Sequence, residues 1–365
     1  MNKNELKMPT FAILFGGRGE ERHISELSAA ALIKKAECAG REPLKIGITP
    51  GGDWFIYLGD SEGVKDGSWI SRPDSLISTY PVRLAGVSGF LADGCITEVE
   101  YVLPMLHGRF GEDGVLQGAL ETASIPYVGC DVTSGALSFD KAYTKLVAES
   151  VGVPCVPWVL LVNGGSHDTV RGRTAFSLED ATELAEKLIS YPVFVKPAAE
   201  GSSIGASRAD DRDGLVRSLR EALAYGPRVL IEKALTDKRE IECAYFDGAG
   251  GEIFAHPWQI RADGGFYDFE RKYKSGAHLE RADISPSDLG LVREYSSLLK
   301  TALGIRDISR FDYFLTPDGS LYFNEVNTMP GFTDSSLYPV MLSDEGVGTA
   351  DLLSRLSEIA RGRRI

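Results

Sequence analysis

A short apolar run that ends in a glycine-rich turn and leads into a helix-like stretch favours an α/β fold for the start of this chain. Residues 11–15 (FAILF) have the composition of a buried strand, residues 16–19 (GGRG) form the turn, and residues 28–35 (SAAALIKK) favour a helix. Two further strand-like runs and a helix-like stretch follow at residues 44–48, 99–106 and 115–123. We therefore expect a first unit built on a parallel sheet, ending near residue 129, with an excursion of hairpins at residues 51–94.

The rest of the chain divides into two more units of mixed strand and helix pattern. The second unit contains a helix after Asp140 and strand-like runs at residues 158–162 and 192–196. It also has a helix at residues 177–189 and a Gly-Ser loop at residues 201–205. The third unit begins with an apolar run and has an amphipathic helix and a closing helix, at residues 228–233, 291–302 and 351–360. The predicted domains therefore span residues 1–129, 130–227 and 228–365.

Composition and charge restrict the partners that we expect for this chain. Its 365 residues carry 39 Lys and Arg against 52 Asp and Glu, which gives a net charge of −13. Such a balance lacks the basic face that nucleic acid or an anionic membrane attracts, and no apolar run approaches the roughly 20 residues of a membrane span. Five scattered cysteines form no C-x-x-C pair, which favours reduced thiols. We expect a cytoplasmic protein without a nucleic-acid or membrane partner.

Two β-rich runs flank Asp318-Gly319, which is the strongest short hairpin signal in the chain. If these two residues form the loop, residues whose numbers sum to 637 face each other across the strands. Asp312 then lies opposite Glu325, and Arg310 lies opposite Asn327. Because side chains alternate along a strand, all four emerge on the same face of the hairpin.

An Asp opposite a Glu requires compensation, because directly opposed side chains have Cβ atoms about 5 Å apart and like charges there are destabilising. Either one carboxylate binds a proton or a divalent cation bridges both. Asn327 adds a neutral oxygen ligand, and without His or Cys nearby the set favours Mg²⁺ or Mn²⁺ over zinc. The alternative is an exposed face of mixed charge; three phenylalanines in the same two runs argue for a buried setting instead.

Lys196 follows an apolar strand and precedes the loop Gly201–Gly205, a combination that suits an anion. Glycines let backbone N–H groups approach a phosphate, and the two serines add hydroxyl donors. A plain turn is one alternative. The loop also matches the G-x-S-x-G nucleophile elbow of serine hydrolases, with Ser203 as nucleophile and His256 or His278 as base. The residues after the loop do not start a helix, however, and a hydrolase needs no cation site.

Four stretches together resemble one family. They are FGG with ERHIS, LHGRFGEDG, VKP with GSSIG, and NEVNTMPGFT, at residues 15–25, 106–114, 195–205 and 324–333. In this order they resemble the D-alanine–D-alanine ligases of the ATP-grasp superfamily. The resemblance implies an α/β (α+β) fold of three domains, with a Rossmann-like parallel-sheet domain first and ATP between the second and third. It also implies a cytoplasmic homodimer that joins two D-alanines through a D-alanyl phosphate for peptidoglycan synthesis.

The resemblance also implies which residues bind ATP and metal. Two Mg²⁺ or Mn²⁺ ions would be held by Asp312, Glu325 and Asn327. The triphosphate would be held by Lys141, Lys196, Ser202 and Ser203, and Lys272 would reach the γ-phosphate from a mobile lid. Adenine and ribose would be held by Glu232, Lys233, Leu235 and Glu240.

The implied substrate residues come from all three units. Glu21 would hold the ammonium of the first D-alanine, with His107 near its carboxylate. Arg310 and the N–H of Gly331 would stabilise a tetrahedral oxyanion. The second-substrate pocket would be lined by Ser336 and Leu337. A hydrogen-bonded triad that closes the lid would consist of Glu21, Ser202 and Tyr273.

Three alternatives stay open at this point. The excursion at residues 51–94 resembles that of longer ligases, including glycopeptide-resistance enzymes that accept D-serine or D-lactate, whereas Tyr273 and Leu337 resemble the D-alanine-using branch. A catalytically silent ATP-binding module is the second alternative, and the serine hydrolase is the third. His23 stands where the family commonly has an acidic residue, which bears on the first-substrate pocket.

Overall fold

The computed structural model describes residues 11–164, 172–248, 250–261, 278–333 and 336–363, and their strands form four sheets. The first sheet has the order β4-β3-β2-β1-β8, in which β1 pairs parallel with β2 and β8. Its strands are β1 (Phe11–Gly16), β2 (Leu44–Ile48), β3 (Trp54–Tyr57), β4 (Leu76–Ser78) and β8 (Tyr101–Pro104). The parallel strands predicted for the first unit are therefore confirmed, but β3 and β4 pair antiparallel at one edge, so the sheet is mixed.

Three helices and a small separate sheet complete this unit. The helices are α1 (Arg22–Cys38), α2 (Ser61–Lys65) and α3 (Val115–Thr122). The small antiparallel sheet contains β5 (Tyr80–Leu84), β6 (Val87–Ala92) and β7 (Cys95–Thr97). The excursion at residues 51–94 thus holds a hairpin as expected, together with helix α2, which was not expected.

The second sheet has the order β10-β9-β13-β11-β12, and the Gly-Ser loop lies between two of its strands, β11 and β12. Its strands are β9 (Trp158–Val162), β10 (Thr174–Ala175), β11 (Val193–Pro197), β12 (Ser207–Ala209) and β13 (Arg228–Lys233). The accompanying helices are α4 (Val132–Phe139), α5 (Lys141–Ser150), α6 (Leu178–Leu188) and α7 (Arg212–Ala222). Strand β13, which the sequence analysis assigned to the third unit, pairs with β9 and β11 and so belongs to this sheet.

The third sheet has the order β17-β16-β14-β18-β19, with β15 paired to β14. Its strands are β14 (Arg239–Gly248), β15 (Gly251–Phe254), β16 (Trp258–Arg261), β17 (His278–Arg281), β18 (Ile308–Leu315) and β19 (Leu321–Asn327). The helices of this part are α8 (Pro286–Leu303), α9 (Leu337–Asp344) and α10 (Thr349–Gly362). Helix α8 begins at a Ser285 cap that accepts from Asp288 N and ends at Gly304, which has a left-handed φ of 70°.

One hydrophobic core joins the beginning and the end of the chain. Phe11, Phe15 and Leu32 from the first unit lie in the same buried cluster as Met341 and Leu356 from helices α9 and α10. Burial of such side chains is the main favourable term in folding. The shared core therefore fixes the first unit against the C-terminal helices, and it holds the loops near His107 and Met329 beside each other.

None of the helices in the described part of the chain is both long enough and apolar enough to cross a membrane.

Candidate active site

Two adjoining cavities lie where the units meet. The larger, of about 790 Å³, lies between the second and third sheets and is lined by residues from β11, β13, β14, β18 and β19. The smaller, of about 100 Å³, is lined by loops of the first unit and by residues 329–331. The residues that line both cavities are Lys141, Glu200, Gly201, Ser202, Ser203 and Glu325. A ligand in the larger cavity can therefore react with one in the smaller cavity across these shared residues.

The acid pair of the hairpin lies at this junction in the predicted register. Asp312 is opposite Glu325 and Arg310 is opposite Asn327, which confirms the pairing that the sequence analysis derived. The turn itself differs, because Leu315 pairs with Leu321 and the strands are closed by a bond from the Thr316 N–H to the Ser320 carbonyl. The predicted two-residue loop is therefore wrong.

A β-bulge restores the register that the longer turn would otherwise shift. Tyr313 pairs with Phe323, whereas Asp312 pairs with Glu325, so Asn324 is the extra residue on β19. Bulges of this kind re-aim a side chain. The Asn324 amide oxygen accepts a hydrogen bond from Lys196 Nζ at 3.2 Å, so the bulge connects the hairpin to the second sheet.

Cationic side chains neutralise the acid pair in this structure. Arg310 donates to both oxygens of Asp312, from Nε and Nη2 at 2.7 Å each, and also contacts Glu242 at 2.8 Å. Lys141 Nζ lies 3.4 Å from Glu325. Burial by itself lowers the pKa of Arg310, but Asp312 and Glu242 outweigh it and raise that pKa. The sequence analysis allows two ways to compensate the acid pair, a bound proton or a bound metal ion. The structure adds a third, which is ion pairing with Arg310 and Lys141.

The donor set at the hairpin fits a hard divalent cation. Asn327 Nδ2 donates to Asp312 Oδ2 at 3.0 Å, which leaves the amide oxygen of Asn327 as an acceptor. Each carboxylate oxygen has two acceptor positions, so the bond from Arg310 does not exhaust Asp312. Within the described ranges, no three His, Cys, Asp or Glu side chains form a metal cluster. The third donor would therefore be the Asn327 oxygen, and an all-oxygen set suits Mg²⁺ or Mn²⁺.

The Gly-Ser loop has the backbone of an anion site rather than of a nucleophile elbow. Ser202 and Ser203 have φ values of 48° and 59°, in the left-handed region that non-glycine residues rarely adopt. Residues 202–205 form a turn, and successive backbone N–H groups in a turn can face a concavity that suits an anion. A strand, β12, follows the loop and pairs antiparallel with β11. A nucleophile elbow needs a helix there, so the serine-hydrolase alternative is wrong.

Lys196 and Glu232 are part of a buried charged cluster. Lys196 Nζ lies 2.8 Å from Glu232 Oε2, and Lys145 Nζ lies 3.0 Å from Glu232 Oε1. Although burial alone raises the pKa of Glu232, the two ammonium groups lower it to about 2. The Glu232 carboxylate, which the resemblance assigned to adenine or ribose, is thus committed to two lysines.

The other residues assigned to adenine and ribose line the larger cavity together. Lys233, Leu235 and Glu240 all border it. The Lys233 ammonium donates to the Tyr191 carbonyl at 3.0 Å, and Glu240 pairs with Lys238 at 2.8 Å. This end of the cavity therefore combines an apolar wall with one acid, the combination that an adenine and a ribose hydroxyl can use.

Glu21 and Ser202 meet at the smaller cavity. The Ser202 hydroxyl donates to Glu21 Oε1, and this contact joins the first unit to the Gly-Ser loop. A Cβ on Gly201 would lie 2.4 Å from Glu21 Oε2, so only glycine allows this approach. His23, two residues further on, is two-thirds exposed and does not line either cavity.

His107 is buried between the first unit and the loop after β19. Its Nδ1 donates to the Met329 carbonyl at 2.9 Å, and its Nε2 lies 3.3 Å from the Ser28 hydroxyl. Burial lowers the pKa of His107, although Glu21 opposes this effect. A neutral imidazole can accept from Ser28 while it donates to Met329, so the ring is fixed across the two units.

Glu112 is a site residue that sequence reasoning missed, although it lies in the quoted LHGRFGEDG stretch. Its carboxylate accepts from Gly108 N and Met329 N at 2.9 Å each and from the Thr328 hydroxyl at 3.2 Å. Burial, with a contribution from Glu21, raises the pKa of this carboxyl to about 7. Its position three residues before the predicted helix at 115–123 gave no signal that it reaches the loop after β19.

The two halves of the chain match two parts of one family. Residues 10–130 match the family described as D-ala D-ala ligase N-terminus, and residues 147–358 match D-ala D-ala ligase C-terminus. The chain belongs to the D-alanine–D-alanine ligase family.

Individual members of this family match over nearly the whole chain. The D-alanine–D-alanine ligase of Pseudarthrobacter chlorophenolicus is 36% identical over 98% of this chain and 95% of its own length. The crystal structure of VanG D-Ala:D-Ser ligase from Enterococcus faecalis has a TM-score of 0.83 at 32% identity and covers 96% of this chain and 98% of its own. The D-alanine–D-alanine ligase structure from Coxiella burnetii has a TM-score of 0.80 at 27% identity, with 97% and 94% covered. The fold is accordingly the α/β ATP-grasp fold of these ligases.

Gly331 and Arg310, which the family resemblance assigned to one oxyanion site, line the smaller cavity together.

Four other residues that the family resemblance assigned to the site lie outside both cavities or outside the described residues. Ser336 lies beside Gly331, since a Cβ built on Gly331 would be 3.0 Å from the Ser336 hydroxyl oxygen. That hydroxyl accepts a hydrogen bond from the Thr333 N–H at 3.1 Å. Leu337 begins α9 and packs in the shared core at 4% exposure. Neither Ser336 nor Leu337 borders the two cavities. Lys272 and Tyr273 lie outside the described residues.

Proposed function

We propose that this chain is an ATP-dependent ligase that joins two D-alanine molecules for peptidoglycan synthesis. The observation that carries the proposal is the junction of the two cavities. There the acid pair Asp312 and Glu325 lies beside Lys141, Arg310 and the Gly-Ser loop. An acid pair, lysines and an anion loop around one point are what phosphoryl transfer from a nucleotide to a small carboxylate requires.

The larger cavity is the proposed ATP site. Lys141, Lys196 and the N–H groups of Ser202 and Ser203 hold the triphosphate at the junction, and the far end takes adenine and ribose. Lys141 reaches both sides of the junction, since its ammonium donates to the Glu200 carbonyl at 2.6 Å and pairs with Glu325. Removal of this lysine takes one positive charge away from Glu325 and from the proposed phosphate site.

Asp312, Glu325 and Asn327 are the proposed ligands of two Mg²⁺ or Mn²⁺ ions. When bound, these ions supply positive charge to the phosphates of ATP during transfer. Arg310 and Lys141 balance the two carboxylates in the structure described here. Each acid of the pair therefore already faces a positive charge at the proposed metal site.

The ligation proceeds in two balanced steps. A carboxylate oxygen of the first D-alanine attacks the γ-phosphorus of ATP, the bond to the bridging oxygen breaks, and ADP leaves with an acyl phosphate formed. The amine of the second D-alanine then attacks the acyl carbon, loses a proton, and displaces inorganic phosphate. Glu21 holds the first ammonium group, and Arg310 with the Gly331 N–H stabilises the tetrahedral oxyanion.

Enclosure of the site protects the acyl phosphate from water. The hydrogen bond from Ser202 to Glu21 already joins two of the three units beside the smaller cavity. Tyr273 is the proposed third member of this triad, and Lys272 is the proposed γ-phosphate contact; both lie outside the described residues. We further propose that the enzyme is a cytoplasmic homodimer.

Ligation of D-alanine to D-serine is a second candidate, favoured by the likeness to the VanG D-Ala:D-Ser ligase structure. Both reactions use the same ATP site and the same first substrate. They differ by one hydroxyl on the second substrate, and a small apolar pocket rejects an added hydroxyl by only about a hundredfold.

One assay tests the function and separates these candidates. The purified chain is incubated with ATP, Mg²⁺ and D-alanine, alone or with D-serine or D-lactate, and ADP and the product are measured by coupled assay and mass spectrometry. We expect D-alanyl-D-alanine from D-alanine alone. A mixed product that predominates at equal concentrations would favour the second candidate, and ADP release that does not depend on any of these substrates would overturn both.

A further inference from the structure

Lys145 is a fully buried lysine that borders neither of the two cavities. It lies on α5 four residues after Lys141, and residues four apart project from the same side of a helix. Lys141 faces the junction, whereas Lys145 is directed beneath it toward β13. The neighbouring face of α5 packs on Trp158 and Leu230. The side chain of Lys145 is fully buried, so water cannot hydrate its ammonium group.

A buried ammonium is costly unless it is paired with an anion. The Glu232 carboxylate provides the partner for Lys145 at 3.0 Å, but Glu232 is also the partner of Lys196 at 2.8 Å. One negative charge is thus shared between two positive ones. The cluster of Lys145, Glu232 and Lys196 therefore carries a net charge of +1, and Lys196, which lines the larger cavity, is the member that faces the ligand.

The two lysines respond differently to their surroundings. Burial by itself lowers the pKa of Lys145, but Glu232 outweighs burial and raises it. For Lys196 burial prevails and the pKa is lowered, because Glu232 is shared and Lys145 repels. Glu232 is thus shared by the two lysines, each of which contacts one of its oxygens.

We propose that Lys145 is a positioning residue for the nucleotide, which occupies one oxygen of Glu232 and so leaves the charge of Lys196 available to the phosphates of ATP. This inference rests on the proposed ATP-dependent function and adds a residue to it. Without Lys145, Glu232 would form a neutral pair with Lys196 alone. The positive charge at the phosphate end of the cavity would then fall by one.

The competing explanation is that Lys145 is only a structural ion pair. The two explanations differ in which ligand binds more weakly after the substitution Lys145→Met, which removes the charge and shortens the unbranched side chain by one atom. An electrostatic role weakens ATP much more than adenosine, because only ATP carries phosphates. A structural role changes stability and affects both ligands alike.

The test measures the Kd of ATP and of adenosine, with Mg²⁺ and without D-alanine, for the wild type and three variants. For Lys145→Met we expect at least a tenfold rise in the Kd of ATP and less than a twofold change for adenosine. The double variant Lys145→Met/Glu232→Gln restores a net charge of +1, and we expect its Kd for ATP to return to within about threefold of wild type. Lys187→Met, which removes one positive charge from the exposed end of α6, is the matched control and is expected to leave both constants unchanged.

Defined outcomes overturn the inference. An unchanged Kd for ATP in Lys145→Met, or an equal loss for adenosine, would contradict it. Circular dichroism shows whether Lys145→Met folds. If it does not, the folded double variant Lys145→Met/Glu232→Gln provides the test, and a loss of ATP affinity of more than tenfold in it contradicts the inference. Failure of the wild type to bind ATP at all would instead refute the proposed function.

Discussion

Asp312 and Glu325 each contact a different cationic side chain, although they face each other across two strands. Arg310 pairs with Asp312, and Lys141 pairs with Glu325. Neither partner lies on the strand that carries Glu325, so the balance of charge depends on helix α5 and on both strands of the hairpin. Removal of a residue of either sign from this group therefore changes the balance of charge at the acid pair.

Glu112 makes the stability of the protein depend on pH. Its folded pKa of about 7 lies above the ordinary value of 4.5. The folded protein therefore retains this proton while the unfolded chain loses it, and stability falls as the pH rises from 4.5 to 7. Below 4.5 the contribution is complete, and above 7 its loss is complete.

The substitution Glu112→Gln removes this titration and should flatten the pH dependence. We expect the free energy of unfolding of the wild type to fall more between pH 5 and pH 8 than that of the variant, by on the order of 2 kcal/mol. Urea denaturation at the two pH values measures the difference, and the exposed Glu183→Gln is the control. Equal slopes for Glu112→Gln and wild type would refute the role of this carboxyl.

At the scale of elements, the Gly-Ser loop depends on close packing against the first unit. Gly201 approaches the Glu21 carboxylate so closely that a Cβ would lie 2.4 Å from Oε2, whereas a Cβ on Gly226 would meet nothing within 4 Å. Gly201→Ala must therefore displace Glu21 or the loop. We expect the kcat/KM for D-alanine to fall at least tenfold, an effect of about 1.4 kcal/mol. Steady-state kinetics measures it.

Gly226→Ala is the matched control for this substitution, because it has the same chemistry in open space and a backbone outside the left-handed region. We expect its kinetic constants to stay within twofold of wild type. If Gly201→Ala behaves like Gly226→Ala, the contact between the loop and Glu21 has no part in catalysis.

The hairpin shows how far sequence reasoning reaches at this scale and where it stops. Asp-Gly correctly indicates a hairpin, and alternation correctly places Asp312 opposite Glu325. The turn is longer than the predicted one, and the bulge at Asn324 compensates for it. A bulge has no local sequence signal here, because its stabilising contact is with Lys196, which is 128 residues away in the chain.

The residues that the sequence analysis missed have the same origin. Glu112, Glu242 and Lys145 act through partners in other elements, at Met329, Arg310 and Glu232. Glu242 is opposite Asp312 because β14 pairs with β18, a pairing that no turn signal specifies. Motifs could indicate the residues around the ligands, whereas the groups that hold those residues depend on tertiary pairing.

At the scale of the whole molecule, the shared core couples the first unit to the C-terminal helices. Leu356 of α10 is 1% exposed and lies in the cluster that contains Phe11 and Leu32. We expect Leu356→Ala to lower the free energy of unfolding by about 2–4 kcal/mol through the cavity that it leaves. Hydrogen exchange should show that α1 and α10 lose protection together.

Leu298→Ala is the control for this substitution, because Leu298 is 38% exposed on α8. We expect it to cost less than about 1 kcal/mol. Loss of protection in α10 alone, with α1 unchanged, would mean that the two ends of the chain unfold independently.

The acid pair is the centre of the proposed function, and one measurement tests it most directly. The variant Glu325→Gln retains the shape of the side chain and removes one negative charge from the proposed metal site. We expect its D-alanine-dependent ADP release at saturating ATP and Mg²⁺ to fall at least a hundredfold, an effect of about 3 kcal/mol. The exposed Glu183→Gln should retain wild-type turnover. Wild-type turnover by Glu325→Gln, with the same dependence on Mg²⁺, would contradict the proposal that Glu325 binds a metal ion needed for the reaction.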